Sequence, residues 1–290
     1  MKKALLILLI ISSFAINDLP SYYIHRDQTP LVNYLMHLNT SNTPSGIKPI
    51  DCIYMINLDI RKDRWIRASK LFNKLHIHVN RVRGFNGWDL SQEDMQYMAG
   101  PYPINISGGL YGCLISHISI LKDAYEKGYS TIWIMEDDIK IVGNVHKIPD
   151  LISELDTIDQ YWDILYTDLY KGCKLADLNL FNRPDQDILP ESYYKYEPHA
   201  LGSVVPVRHR RQMHSYIVSR RGIKKILNYF SHVYVWTSFG RDVHYIPEIY
   251  QYSVKKDIII QWTKAGSDTK PDTDLNLYKN KLSQIYCRKK

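Results

Sequence analysis

The sequence predicts an α/β fold, an open and largely parallel sheet with helices on its faces. Three observations lead there. Short, bounded runs of β-branched and aromatic residues alternate with stretches whose apolar residues recur at helical spacing. The intervals between those runs are long enough for the crossovers that parallel strands require. One run, Thr131-Ile-Trp-Ile-Met135, ends in three consecutive carboxylates, Glu136, Asp137 and Asp138, at the kind of strand end outside which open α/β sheets bind their ligands.

With 290 residues and 45% hydrophobic content the chain can bury a full core. Its net charge of +7 is spread along the chain, apart from a basic run at 208–211 and the basic C-terminus. That suits anionic ligands or membrane surfaces in general. No helix-turn-helix, zinc-finger or RNA-binding pattern is present, so no nucleic-acid partner is expected.

Residues 1–16 have a basic start, an apolar centre and small residues at Ser13 and Ala15, the layout of a secretory signal. The apolar run is shorter than the roughly 20 residues that cross a bilayer, which favours a cleaved signal over a permanent span and leaves an uncleaved anchor as the alternative. The expected location is the secretory lumen or a membrane surface, with a cytosol-facing tether also open. Residues 17–49 carry Pro20, Pro30, Pro44, Gly46 and Pro49, which reads as a stem outside the core with a short helix at Leu31 to Leu38.

The main domain is expected over residues 50–268. Cys52 to Leu58 is its first strand. Arg61 to Leu75 follows as a helix with Trp65, Ala68, Leu71, Phe72 and Leu75 on one face. A strand over Ile77 to Val82 leads to the turn Gly84-Phe-Asn-Gly87, and Ser91 with Asp94 forms a capping box for a short helix ended by Gly100 and Pro101. Gly112 to Tyr125 is the clearest helix, stopped by Gly128, and it feeds the acidic strand. A helix at Ile148 to Ile158, a strand at Trp162 to Tyr166, irregular text from Lys171 to Val207, a strand at Ser215 to Val218, a helix at Arg220 to Phe230 and a strand near Tyr250 to Val254 complete the domain. A polar tail over 269–290 ends the chain. Cys52 and Cys113 read as small buried hydrophobes, and Cys173 with Cys287 is the candidate disulfide if the chain is exported.

In an extended strand side chains alternate, so Glu136 and Asp138 point to one side and Asp137 to the other. Two hard oxygen ligands on one side suit a divalent ion. A solvated acidic turn or a helix cap would use the same residues.

Four blocks resemble glycosyltransferase family 25, which includes lipooligosaccharide and procollagen galactosyltransferases. They are Tyr54-Met-Ile-Asn-Leu-Asp-Ile-Arg-Lys-Asp-Arg64, Arg83-Gly-Phe-Asn-Gly87, Gly112-Cys-Leu-Ile-Ser-His117 and Trp133-Ile-Met-Glu-Asp-Asp138. Weaker likeness continues through Trp162 to Tyr166, Ser215 to Ser219 and Gln261 to Asp268. The resemblance implies a GT-A-like, nucleotide-binding Rossmann-type sheet. It also implies transfer of a hexose, often galactose, from a uridine diphosphate sugar to a glycan or hydroxylated protein, with inversion.

A departing nucleoside diphosphate gathers negative charge, which a carboxylate-held cation neutralises. On that reading Asp138 and Glu136 are the metal ligands, for Mn²⁺ or Mg²⁺, and Asp137 contacts the donor sugar or ribose. Asn57, Leu58, Arg61, Arg64 and Gly84 lie where the base and phosphates would rest, the arginines being otherwise surface charges. Ser116 and His117 flank the acidic strand end, with His117 as either a substrate contact or a structural bond. Asp242 matches the family's late aspartate and is the candidate base, although the usual Pro-Val-Asp approach is missing and a helix cap is the alternative. His244 is a further metal or diphosphate candidate, and Arg208, Arg210 and Arg211 are either phosphate or acceptor contacts or a solvated loop.

The alternatives to a transferase of this kind are a catalytically inactive sugar-binding relative with the same fold and a different nucleotide-dependent transferase.

Overall fold

The computed structural model describes residues 29–169, 201–207, 210 and 212–269. The expected signal at 1–16, the pairing of Cys173 with Cys287, nearly all of the irregular stretch before residue 201, Arg208, Arg211 and all but the first residue of the tail lie outside the described residues.

The strands are β1 (Cys52–Asn57), β2 (Asn80–Arg83), β3 (Thr131–Glu136), β4 (Ile139–Ile141), β5 (Ile164–Tyr166), β6 (Val204–Val207), β7 (Ser215–Ser219), β8 (Gln251–Val254) and β9 (Ile259–Gln261). Seven of them form one sheet in the order β2-β1-β3-β7-β5-β8-β6. The pairs β1 with β2, β1 with β3 and β5 with β8 are parallel, while β7 and β6 run against their neighbours. The sheet is therefore mixed α/β with five strands pointing one way, a Rossmann-like arrangement. β4 and β9 form a separate antiparallel pair that the sequence did not announce.

Alternation along the strands explains why both sheet faces are apolar. Tyr54, Ile132, Ile134, Tyr216 and Val218 join one core with helices α3 (Gly108–Glu126) and α5 (Arg220–His232). Ile53, Met55, Trp133, Met135 and Ile217 join the other, with α1 (Lys62–Lys74) and α4 (Ile148–Ile158). Near-continuous burial along β1 and β3 is the signature of strands covered on both sides.

The helices expected after residue 50 are present, and their ends have physical causes. α2 (Gln92–Ala99) begins with the capping box of Ser91 and Asp94, and Gly100 leaves it at φ 64°. α3 starts four residues before the expected Gly112, because Ser107 caps it by accepting from the Leu110 amide. A short helix, α6 (Phe239–Asp242), follows α5.

The expected stem is corrected over its described part. Thr29 donates to the Phe230 carbonyl at 2.7 Å, Leu31 is buried in the core, and Ile47 and Ile50 pack beneath β1 and α1. The helix expected at Leu31 to Leu38 is a single 3-10 turn, Pro30–Tyr34.

Candidate functional site

A cavity opens at the C-terminal ends of β1 and β3. Its floor is the acidic triplet, one wall is the turn at Gly84 to Trp88 with the first half of α3, and the opposite wall is formed by residues 212–214 and 238–240. Gln261 and residues 267–269 close the lip. Three glycines let turn and helix meet. A Cβ on Gly87 would lie 1.8 Å from the Gly108 carbonyl oxygen, and one on Gly112 would lie 2.5 Å from both the Gly87 amide nitrogen and the Phe85 oxygen.

The triplet splits as alternation requires. Asp137 turns toward α1, where Arg64 donates to it at 3.0 Å and Asn57 at 2.6 Å. Burial raises its pKa despite the Arg64 charge. Glu136 lies near His117, Oε1 standing 3.5 Å from Nε2. Burial works to raise the Glu136 pKa, but His117, His214 and Arg64 bring it below the usual value.

Asp138 differs from both. It accepts from Gln261 at 2.8 Å through Oδ2, while Oδ1 is buried with no hydrogen-bond partner. Burial first and the Glu136 charge second push its pKa up to about 7. Two carboxylates facing one cavity, one with an unsatisfied oxygen, are a donor set that fits a hard divalent cation.

Several expected contacts take other parts. Asp137, assigned to donor sugar or ribose, lines the cavity, and its two oxygens accept from Asn57 and Arg64, which ties it to the strand end. Arg61 forks onto Asp268, with Nε at 3.0 Å, and does not line the cavity. Arg64 lines the cavity but bridges Asp137 and Asp268, at 3.0 Å to each. Asn57 is 1% exposed, donates also to the Arg61 carbonyl and accepts from Arg81, holding the turn after β1. Leu58 and Gly84 line the cavity. Ser116 faces it too, but its hydroxyl donates to the Gly112 carbonyl at 2.7 Å and accepts from the Phe85 amide at 2.8 Å, tying turn to helix.

His117 is fully buried, with Nδ1 3.0 Å from the Tyr216 hydroxyl and its ring stacked on Phe239 at 4.7 Å. Its structural bond and its cavity position coexist. Cys113 is corrected: it is not enclosed in the core but is a partly buried residue in the cavity wall.

Asp242 is corrected as well. It has no exposed surface and is absent from the cavity lining, because α6 turns Ser238, Phe239 and Gly240 toward the cavity instead. His244 sits with Nε2 against the Arg210 backbone and Nδ1 2.9 Å from Gln251, away from the cavity. Arg210 is not a solvated charge. Its guanidinium is fully buried, pairs with Asp168 and lies 4.2 Å from the centre of the Tyr166 ring.

Four participants carried little or no sequence signal. Asp268 and Gln261 come from the weak block near the end of the domain. Arg67 donates to the carbonyls of Asp137 at 3.1 Å and Ile139 at 2.9 Å, clamping the acidic turn from α1. His214 lines the cavity, its Nε2 3.4 Å from Asp168.

A family model described as glycosyltransferase family 25 (LPS biosynthesis protein) matches residues 50–242. The chain is 25% identical over 188 residues to a procollagen galactosyltransferase 1-A of Xenopus laevis, covering 61% of this chain and 28% of that protein. It is 30% identical over 120 residues to a glycosyltransferase 25 family member of Drosophila melanogaster, covering 38% of this chain and 19% of that one. It is also 25% identical over 136 residues to the inactive glycosyltransferase 25 family member 3 of Homo sapiens, covering 43% and 23%. The matched stretch thus spans less than a third of each of these relatives. With the match running from the start of β1 through the acidic strand end to α6, the chain belongs to glycosyltransferase family 25.

Proposed function

We propose that this chain transfers a hexose, galactose first among the candidates, from a uridine diphosphate sugar to a hydroxyl of a glycan or protein, with inversion and with the help of Mn²⁺ or Mg²⁺. The observation that carries this reading is the buried, unpartnered Oδ1 of Asp138 beside Glu136, in a cavity at the C-terminal ends of the central strands. Glu136 and Asp138 are the residues that would hold the cation. When bound, it would supply positive charge against a departing diphosphate.

The remaining roles belong to side chains already in place. Asn57, Arg64 and Arg67 hold the acidic strand end rigidly, so Glu136 and Asp138 need little reordering to receive a cation. Leu58, Gly84 and the turn at Phe85 to Trp88 offer an apolar and backbone-lined wall for a nucleoside. Galactose is favoured because relatives carry the name procollagen galactosyltransferase. Action in a secretory lumen, or on a membrane through an N-terminal anchor, is part of the same proposal. Among the described residues no helix is long and apolar enough to cross a membrane.

A second reading, a catalytically inactive sugar-nucleotide-binding protein, is favoured by the enclosure of Asp242 and by the likeness to a relative named as inactive. Transfer from a panel of labelled uridine diphosphate sugars, with and without Mn²⁺, separates the two. Mn²⁺-dependent turnover that Asp138→Ala abolishes supports the transferase. Wild-type turnover in Asp138→Ala sinks the metal assignment, and binding without turnover across the panel supports the inactive reading.

A further inference from the structure

We propose that Cys113, His117 and Glu136 form a second metal site in the cavity wall, built for a thiophilic divalent cation of the Zn²⁺ class. The ligand atoms of these three residues all lie within 4.8 Å of one another. Cys113 and His117 are four residues apart on α3 and so share one helix face, and Glu136 meets them from the end of β3. His117 Nε2 stands 3.5 Å from Glu136 Oε1, close to the roughly 3.3 Å that separates two ligands about 2.0 Å from a tetrahedral zinc ion.

The imidazole is set up for this. Its Nδ1 is engaged by the Tyr216 hydroxyl at 3.0 Å and its plane is held by Phe239, while Nε2 is buried, has no hydrogen-bond partner and faces the cluster. A ring nitrogen fixed from behind is the usual support of a metal-ligating histidine. Three protein ligands leave a fourth position open toward the cavity. The donor set separates this site from the Glu136 and Asp138 pair, since thiolate and imidazole select Zn²⁺, and carboxylates alone select Mg²⁺ or Mn²⁺. On binding, the Cys113 thiol gives its proton to solvent and its sulfur to the metal. An ion there would draw Glu136 away from Asp138. That consequence rests on the transferase reading, whereas the binding itself does not.

The test uses the full chain stripped of metal and titrated with Co²⁺ alone. One ion per chain is expected, with a thiolate-to-cobalt charge-transfer band that Cys113→Ser abolishes and that Cys52→Ala, Cys173→Ser and Cys287→Ser each retain. Zn²⁺ affinity should fall by at least roughly tenfold in Cys113→Ser. In the unmodified chain, Zn²⁺ but not Mg²⁺ should protect Cys113 from alkylation, read by mass spectrometry, so the outcome does not depend on the variant folding. A band that survives Cys113→Ser, or alkylation indifferent to Zn²⁺, overturns the site while leaving the transferase reading intact. Loss of Mn²⁺-dependent transfer with the cobalt band still present would do the reverse.

Discussion

Asp137 and Asp138 are neighbours in sequence and opposites in circumstance. The first spends both oxygens on Asn57 and Arg64, and the second keeps one buried oxygen with no partner. Asp138→Asn is therefore expected to weaken Mn²⁺ binding by at least roughly 10–100-fold, and the upward thermal shift that Mn²⁺ gives the wild type should be lost in that variant. Asp242 is enclosed away from the cavity, so Asp242→Asn should lower the melting temperature without moving the pH dependence of kcat/KM. A shifted acid limb would restore it as the base. Asp168 supplies a pH signature of its own. Burial works to raise its pKa, but His214 and Arg210 beside it hold the carboxyl below the usual range. A depressed folded pKa gives stability that is complete above the unfolded value and is lost as pH falls through the folded one. Chemical unfolding across acid pH should show a shallower acid loss in Asp168→Asn, on top of a cost of about 3–5 kcal/mol at neutral pH for removing the carboxylate of the buried Asp168–Arg210 pair. The carboxylates of the triplet were legible in sequence because three charges ending an apolar strand stand out. His214 and Asp268 were not, because nothing local marks a residue whose partners lie far along the chain.

At the level of elements, the contact between α3 and the turn at Gly84 to Gly87 decides the shape of the cavity. Gly87, Gly108 and Gly112 let backbone meet backbone, and Ser116 stitches the two together. Gly112→Ala puts a methyl group within 2.5 Å of backbone atoms that cannot swing aside. It should cost roughly 1–3 kcal/mol of stability by overpacking and reduce donor binding, checked by urea unfolding and by a uridine diphosphate thermal shift. Sequence periodicity found α3 but began it at Gly112, since the preceding glycines carry no apolar pattern and only the Ser107 cap shows where the turn begins. The short pair of β4 and β9 escaped notice because three-residue strands have almost no period. Their pairing matters all the same: it places Gln261 opposite Ile139, within reach of Asp138.

Across the whole molecule, the described part of the expected stem belongs to the fold. A chain beginning at residue 50, where the family match starts, would lose Leu31 and Ile47 from the core and the hydrogen bond from Thr29 to the end of α5. It should melt below a chain beginning at residue 29, the Leu31 side chain alone contributing about 1.5–3 kcal/mol of burial. Equal melting temperatures would show that these contacts contribute nothing. Proline and glycine content suggested a linker, yet such residues also suit an irregular segment laid over a core, and composition does not distinguish the two. The sequence by itself determined the class of fold, the order of its main helices and strands, and the acidic strand end, because strand and helix periods and strand-end charges are local properties of the chain. Only the tertiary structure decided which arginines are tied up by carboxylates, that Asp242 is buried outside the cavity lining, and that Cys113, His117 and Glu136 converge. Those outcomes depend on contacts between residues tens to hundreds of positions apart, whose pairing is set by how the sheet is ordered.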